Sequence, residues 1–171
     1  MKHSSIVIAL GIAAGIFASP AMAAGTLLKF DKGIGVDPVA GIANGAPVLN
    51  VVKGVNPGGR PWAIGKLKVR VKEDGTISAK GQGLIFSATD NIGTAGAVTQ
   101  VQASLFCGAD TVSLDSPAAP LDTNGNFNIV GSLGAAPPNP CLKPILLIRS
   151  SNGATPGNWF AAAVPGDDSD D

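Results

Sequence analysis

Along residues 65–86, GKLKVRVKEDGTISAKGQGLIF, apolar and polar positions alternate with a period of two. Leu67, Val69 and Val71 hold one parity; Lys66, Lys68, Arg70 and Lys72 hold the other. Successive side chains of a β-strand point to opposite faces, so the spacing predicts a strand with one apolar and one cationic face. Ile77, Ala79 and Gly81 resume the apolar parity after Glu73, Asp74 and Gly75. A two-residue loop, Asp74–Gly75, would set Lys72 opposite Ile77 and pair a wet position with a core one. A three-residue loop, Glu73 to Gly75, sets Val71 opposite Ile77 and Val69 opposite Ala79. It also puts glycine last, where such loops turn left-handed. The parity therefore predicts strands at about 64–72 and 76–86, with Lys68 opposite Lys80.

Other segments follow the same logic. Val101, Ala103, Leu105 and Cys107 alternate with Gln100, Gln102 and Ser104, a strand over about 97–107. Val112 and Leu114 suggest a short one. In LDTNGNFNI, a loop of Thr123 to Gly125 brings Leu121 opposite Phe127. Ile145 to Ile148 is a continuous apolar run suited to a strand buried on both sides, and NWFAAAV, 158–164, is its partner across SSNGATPG. Residues 25–61 are dense in Gly and Pro and read as loop wrapped on the domain, with PVLNVVKGV as one strand. GAAPPNPC, 134–141, is a stiff extended connector. No run shows helical periodicity, and no repeat of fixed period is present. The expectation is an all-β fold: an antiparallel sandwich, immunoglobulin-like or similar, with about seven to nine short strands.

The N-terminus adds a compartment. Lys2 and His3 precede an apolar core from Ile6 to Ala18, and Ala21 and Ala23 are small residues at cleavage positions. Residues 1–23 read as a secretory signal peptide, because the apolar core falls short of the ~20 residues that span a bilayer. The mature chain is expected in the periplasm or cell exterior, with no transmembrane segment, as one domain over 24–165 and an acidic tail, GDDSDD, over 166–171. An outer-membrane barrel is not expected, since the ~10-residue lipid-facing alternation is not repeated along the chain. In an exported chain, Cys107 and Cys141 read as one disulfide.

Composition removes much chemistry. Beyond residue 23 there is no His, no Met and no Tyr, and Glu73 is the sole Glu. The formal net charge is +0, so nucleic acid is not the expected partner. Acid–base catalysis would fall to Asp31, Asp37, Glu73, Asp74, Asp90, Asp110, Asp115 or Asp122, most of them in turn contexts where Asp caps its own backbone. No serine has glycine-flanked elbow context. A non-enzyme is expected, with no cofactor and no metal. GVNPGGRPW, 54–62, lacks the Gly-Lys-Ser/Thr close of a phosphate loop. DTNGN, 122–126, lacks the spacing of a calcium loop. Arg60 beside Trp62 on a tight turn is a candidate platform for a carbohydrate or aromatic ligand, against a plain reading of Trp62 as core.

The remaining feature is cationic. Residues 50–82 hold seven cations and two acids. Lys66, Lys68, Arg70, Lys72 and Lys80 form a candidate anion-binding face for an anionic polysaccharide or cell-surface polyanion. The same row would also keep a strand wet, pair with the acidic tail, or blunt edge-to-edge aggregation. The functional expectation is an exported, non-enzymatic binding protein. The alternatives are a structural or matrix component that self-associates through sheet edges, and a hydrolase using a Ser–Lys or Asp pair.

Overall fold

The computed structural model describes residues 23–153 and 155–165. The leader segment, apart from Ala23, and the tail over 166–171 lie outside the described residues. Within them the chain forms thirteen strands: β1 (Thr26–Gly35), β2 (Val39–Ala43), β3 (Ala46–Leu49), β4 (Trp62–Ala63), β5 (Lys66–Lys72), β6 (Thr76–Gln82), β7 (Ile85–Phe86), β8 (Gln100–Phe106), β9 (Leu114–Asp115), β10 (Ala119–Pro120), β11 (Phe127–Ser132), β12 (Ile145–Ser151) and β13 (Pro156–Pro165). Nine of them have four residues or more. No helix long and apolar enough to cross a membrane is present among the described residues.

The β5–β6 hairpin forms in the register its parity demands. Val71 faces Ile77, Val69 faces Ala79 and Lys68 faces Lys80. Gly75 closes the loop at φ 83°, and its N–H donates to the Lys72 carbonyl at 3.0 Å. Burial alternates strictly along both strands. Gly83, at φ 68°, ends β6 ahead of the expected boundary and separates it from β7.

The main sheet runs β10-β8-β12-β13-β1-β5-β6-β11, all antiparallel, with β9 attached to β8. Its outermost strands, β10 and β11, follow one another in the chain. Leu121 bridges Phe127 across their connection, so the two ends of the sheet meet and the fold is barrel-like. The core fills its inner side by setting small residues beside large ones. Ile148 lies between Ala103 and Ala161, Leu146 between Leu105 and Ala163, and Val69 between Phe30 and Ala79. All of these are buried. Burying one such Leu or Ile side chain stabilises the fold by about 1.5–3 kcal/mol. Gly81 sits opposite Phe127, whose ring crosses it so closely that a Cβ there would come within 2.1 Å of a ring carbon.

Residues 25–61 depart from expectation. Instead of loop, the segment supplies β1, which is hydrogen-bonded to β5 on one side and β13 on the other. Of the strand expected at Pro47–Val55, only the part up to Leu49 forms, and it belongs to a separate hairpin, β2–β3. Asn44 (φ 52°) and Gly45 (φ 77°) make that turn, as Asn-Gly does in two-residue hairpin loops.

An outer layer covers β8, β12 and β13. The Trp159 N–H donates to the Asn56 carbonyl at 3.0 Å, and its indole Nε1 donates to the Asn50 carbonyl at 3.0 Å. Over β8, the Ser116 N–H donates to the Ala103 carbonyl at 2.9 Å. Cys107 and Cys141 form the disulfide, Cα–Cα 5.0 Å, and tie the start of this cover to the 134–141 connector.

Two turns carry a pH signature. The Asp122 carboxyl is held below its ordinary value of 3.8, chiefly by the Asn126 N–H and then by the Asn126 side-chain amide. The Asp74 carboxyl is lowered chiefly by the Thr76 N–H. A carboxyl whose native pKa is depressed adds stability above its unfolded pKa and loses it as pH falls through the native one. We expect Asp122→Asn to be less stable than the parent at pH 7, with the gap in thermal midpoint closing below pH 3.8. A gap of constant size down to pH 2 would show that the ionised carboxylate is not what holds the turn.

Candidate anion-binding face

Pairing builds the face from four adjacent strands, β1, β5, β6 and β11. Lys66, Lys68, Arg70 and Lys72 all point outward from β5 and are exposed, and Lys80 points outward from β6. Across the sheet, Lys68 faces Lys80, which in turn faces Asn128 on β11. Arg70 has Ser78 on one side and Lys29 of β1 on the other. Lys66, Lys68, Lys80 and Gln82 line a shallow depression of about 250 Å³. A neighbouring one of about 400 Å³ lies between Lys80, Gln82, Pro120, Asp122, Asn126 and Asn128.

Among the described residues no acid forms an ion pair with Lys66, Lys68, Arg70, Lys72 or Lys80, although Asp31 of β1 lies near the row and pairs with Lys29 at 3.8 Å. Three further acids near the row are held in turns or bonded to side chains. Asp74 accepts from the Thr76 N–H at 2.9 Å, and Glu73 accepts from the Asn139 amide at 3.2 Å. Asp122 accepts from the Asn124 N–H at 2.9 Å and from the Asn126 N–H at 2.8 Å. Like charges set directly opposite one another on a sheet cost about 0.2–1 kcal/mol. The Lys68–Lys80 opposition is therefore mildly unfavourable, and a shared counter-charge would relieve it.

Arg60 and Trp62 both line a depression of about 260 Å³, together with Gly59, Phe86, Val98 and Phe160. Trp62 is only 4% exposed, stacks on Phe160 at 4.2 Å and contacts Phe86 at 4.2 Å. The Arg60 guanidinium lies over Phe86 instead, 5.6 Å from its centroid. Most of the indole is therefore packed among core rings.

A polar cluster on the outer side of β8 carries no simple sequence signal. Ser104 donates to the Asp115 carboxylate at 2.6 Å and accepts from Arg149 Nη1 at 3.2 Å. Arg149 also donates from Nε to the Gly157 carbonyl and from Nη2 to the Pro156 carbonyl. Gln102 donates to the Ser116 carbonyl and accepts from Ser151. Burial pushes the Arg149 pKa down, and Asp115 partly offsets this. Ser104 is fully buried. The cluster fastens β9 and the loop around it onto the sheet. The polar residues of QVQASLF and the lone arginine in ILLIRSS were the only hints of it.

Lys66, Lys68, Arg70, Lys72 and Lys80 are therefore brought together as their spacing implied. Gln82 joins them opposite Lys66 in the same register, and Lys29 and Asn128 join through pairings that parity alone does not reveal. Comparison with family models, with curated proteins and with solved structures finds no match to this chain.

Proposed function

We propose that the chain is an exported, non-catalytic binding protein whose cationic sheet face contacts an anionic polymer or surface at the cell exterior. The observation that carries this reading is the exposed Lys68–Lys80 pair, flanked by Lys66 and Arg70, with no acid paired to any of them among the described residues. A single lysine row on a wet face needs no explanation, but two like charges opposed across a ladder gain from a shared counter-charge. Export is supported by the Cys107–Cys141 bridge, a bond that persists in oxidising compartments, together with the apolar segment Ile6–Ala18. The absence of histidine beyond residue 23 and the burial of Ser104 support the non-catalytic part.

Retention on immobilised heparin tests the proposal. We expect retention at low salt and release at moderate salt, as the screening length falls from about 30 Å to about 8 Å. A variant with Lys66, Lys68 and Lys80 all replaced by glutamine should pass through unretained. Equal retention of that variant, or no retention of the parent at low salt, would end this reading.

A further inference from the structure

The hairpin β2–β3 stands away from the barrel with every residue from Val39 to Leu49 exposed. Its large apolar side chains are among them: Ile42 is 77% exposed and Leu49 56%. No charged residue occurs between Asp37 and Lys53. Side chains alternate across the ribbon, so Ile42, Pro47 and Leu49 share one face while Gly41, Ala43, Ala46 and Val48 share the other. Both faces are apolar. The root, by contrast, is well held. The Trp62 N–H donates to the Val36 carbonyl at 2.9 Å, the Asn50 N–H to the Pro38 carbonyl at 2.9 Å, and the Trp159 indole to the Asn50 carbonyl.

Two features argue against another β-strand as the occupant. β2 carries a bulge between Val39 and Gly41, where its register against β3 slips. On β3, Pro47 pairs with Ile42, one step from the Ala43–Ala46 pair that flanks the turn. Ala43 and Ala46 bond each other in a two-residue hairpin, so the next pair turns its backbone groups outward, and Pro47 has no N–H to present. Bulges and edge prolines both discourage strand addition. A second protein seated on one face would leave the other apolar face in water. A fluid apolar phase covers both at once.

The charge beside the hairpin says which phase. The hairpin root packs on Trp62 and Ala63, three residues before Lys66, so it leaves the barrel at the end where Lys66 and Gln82 close the cationic face. Arg60 is exposed at the same end. The root's own acid, Asp37, accepts from the Val39 N–H. We propose that the anionic partner is a lipid bilayer, with the β2–β3 arm seated in its interfacial layer and Lys66, Lys68 and Lys80 against anionic headgroups. This rests on the anion-binding reading and names its partner. The residues from Gly41 to the turn span about 10 Å, the depth at which interfacial segments sit. The hairpin satisfies its own inward backbone groups, and the outward ones stay within reach of headgroups and water.

Co-sedimentation with vesicles, run beside the heparin assay, tests it. The parent should bind phosphatidylcholine vesicles containing about one third phosphatidylglycerol, and bind pure phosphatidylcholine vesicles far less, each lysine contributing about fivefold. Ile42→Asp, and separately Val48→Asp, should weaken vesicle binding roughly tenfold or more while leaving heparin retention unchanged, which also shows the barrel intact. The triple lysine variant should lose both. Vesicle binding unchanged by both arm variants would overturn the arm's role. Heparin retention without vesicle binding would overturn the bilayer and leave the anion-binding reading standing. Neither activity would overturn both. A parent that is dimeric in solution and made monomeric by Ile42→Asp would assign the arm to a second copy instead.

Discussion

Gly35→Ala is expected to lower the stability of the barrel by about 3–5 kcal/mol, read as a shift in urea midpoint with the slope unchanged. A Cβ at residue 35 would lie 2.0 Å from the Trp62 carbonyl oxygen and 2.7 Å from the Ala63 Cα. Those are backbone atoms, so no rotamer change relieves the clash. Nor can either strand retreat. Gly35 is paired with Ala161 on β13, while Trp62 donates to Val36 and its ring is packed between Phe86 and Phe160. Gly41→Ala on the arm is the control, since a Cβ there meets nothing within 4 Å, and it should be neutral or slightly stabilising. A loss below about 1 kcal/mol for Gly35→Ala would mean that β1 and β4 separate easily and that the closeness is not a demand of the fold.

Replacing both cysteines by serine is the second large effect, with an expected loss of about 3–4 kcal/mol. The bridge closes a loop with a sequence separation of 34, and constraining such a loop restricts the unfolded chain. The loss has a local face too. Cys107 begins the segment that lays Asp115 and Ser116 over β8, and the half-buried Arg149 guanidinium donates to Ser104 beneath that cover. Hydrogen exchange should therefore rise first at Ala103 and Leu105 in the reduced or serine variant. Uniform exchange across all strands would point to the unfolded chain alone as the seat of the effect.

The hairpin of β5 and β6 was legible because strict alternation admits a single loop length that keeps one face dry. With it came the cationic row and the Lys68–Lys80 opposition. The Leu121–Phe127 contact was legible for the same reason, though not its larger role of closing the sheet. β1 was hidden because Gly33 and Gly35 look like turn residues. Their actual cause is tertiary: a Cβ at Gly33 would lie 2.8 Å from the Leu67 Cβ, and at Gly35 nearer still to Trp62. A glycine required by a neighbouring strand and one required by a turn look identical in one sequence. Asn44-Gly45 was a legible hairpin signal, but the flanking glycines and prolines made the arm read as loop. The Ser104–Asp115–Arg149 cluster depends on three separate segments meeting, which no local pattern reports.

The place of β13 sets when the protein can exist. The last described strand is not an edge but the link between β12 and β1, pairing Ala163 with Leu146 on one side and with Gly33 on the other. Until residues near Pro165 emerge, β1 lacks a neighbour on that side and the sheet stays open. Folding is then governed by contacts that span nearly the whole domain, and such topologies close slowly. Local pairs such as β5–β6 need no distant strand, but the link between β12 and β1 waits for β13. The main sheet becomes continuous only once β13 is in place.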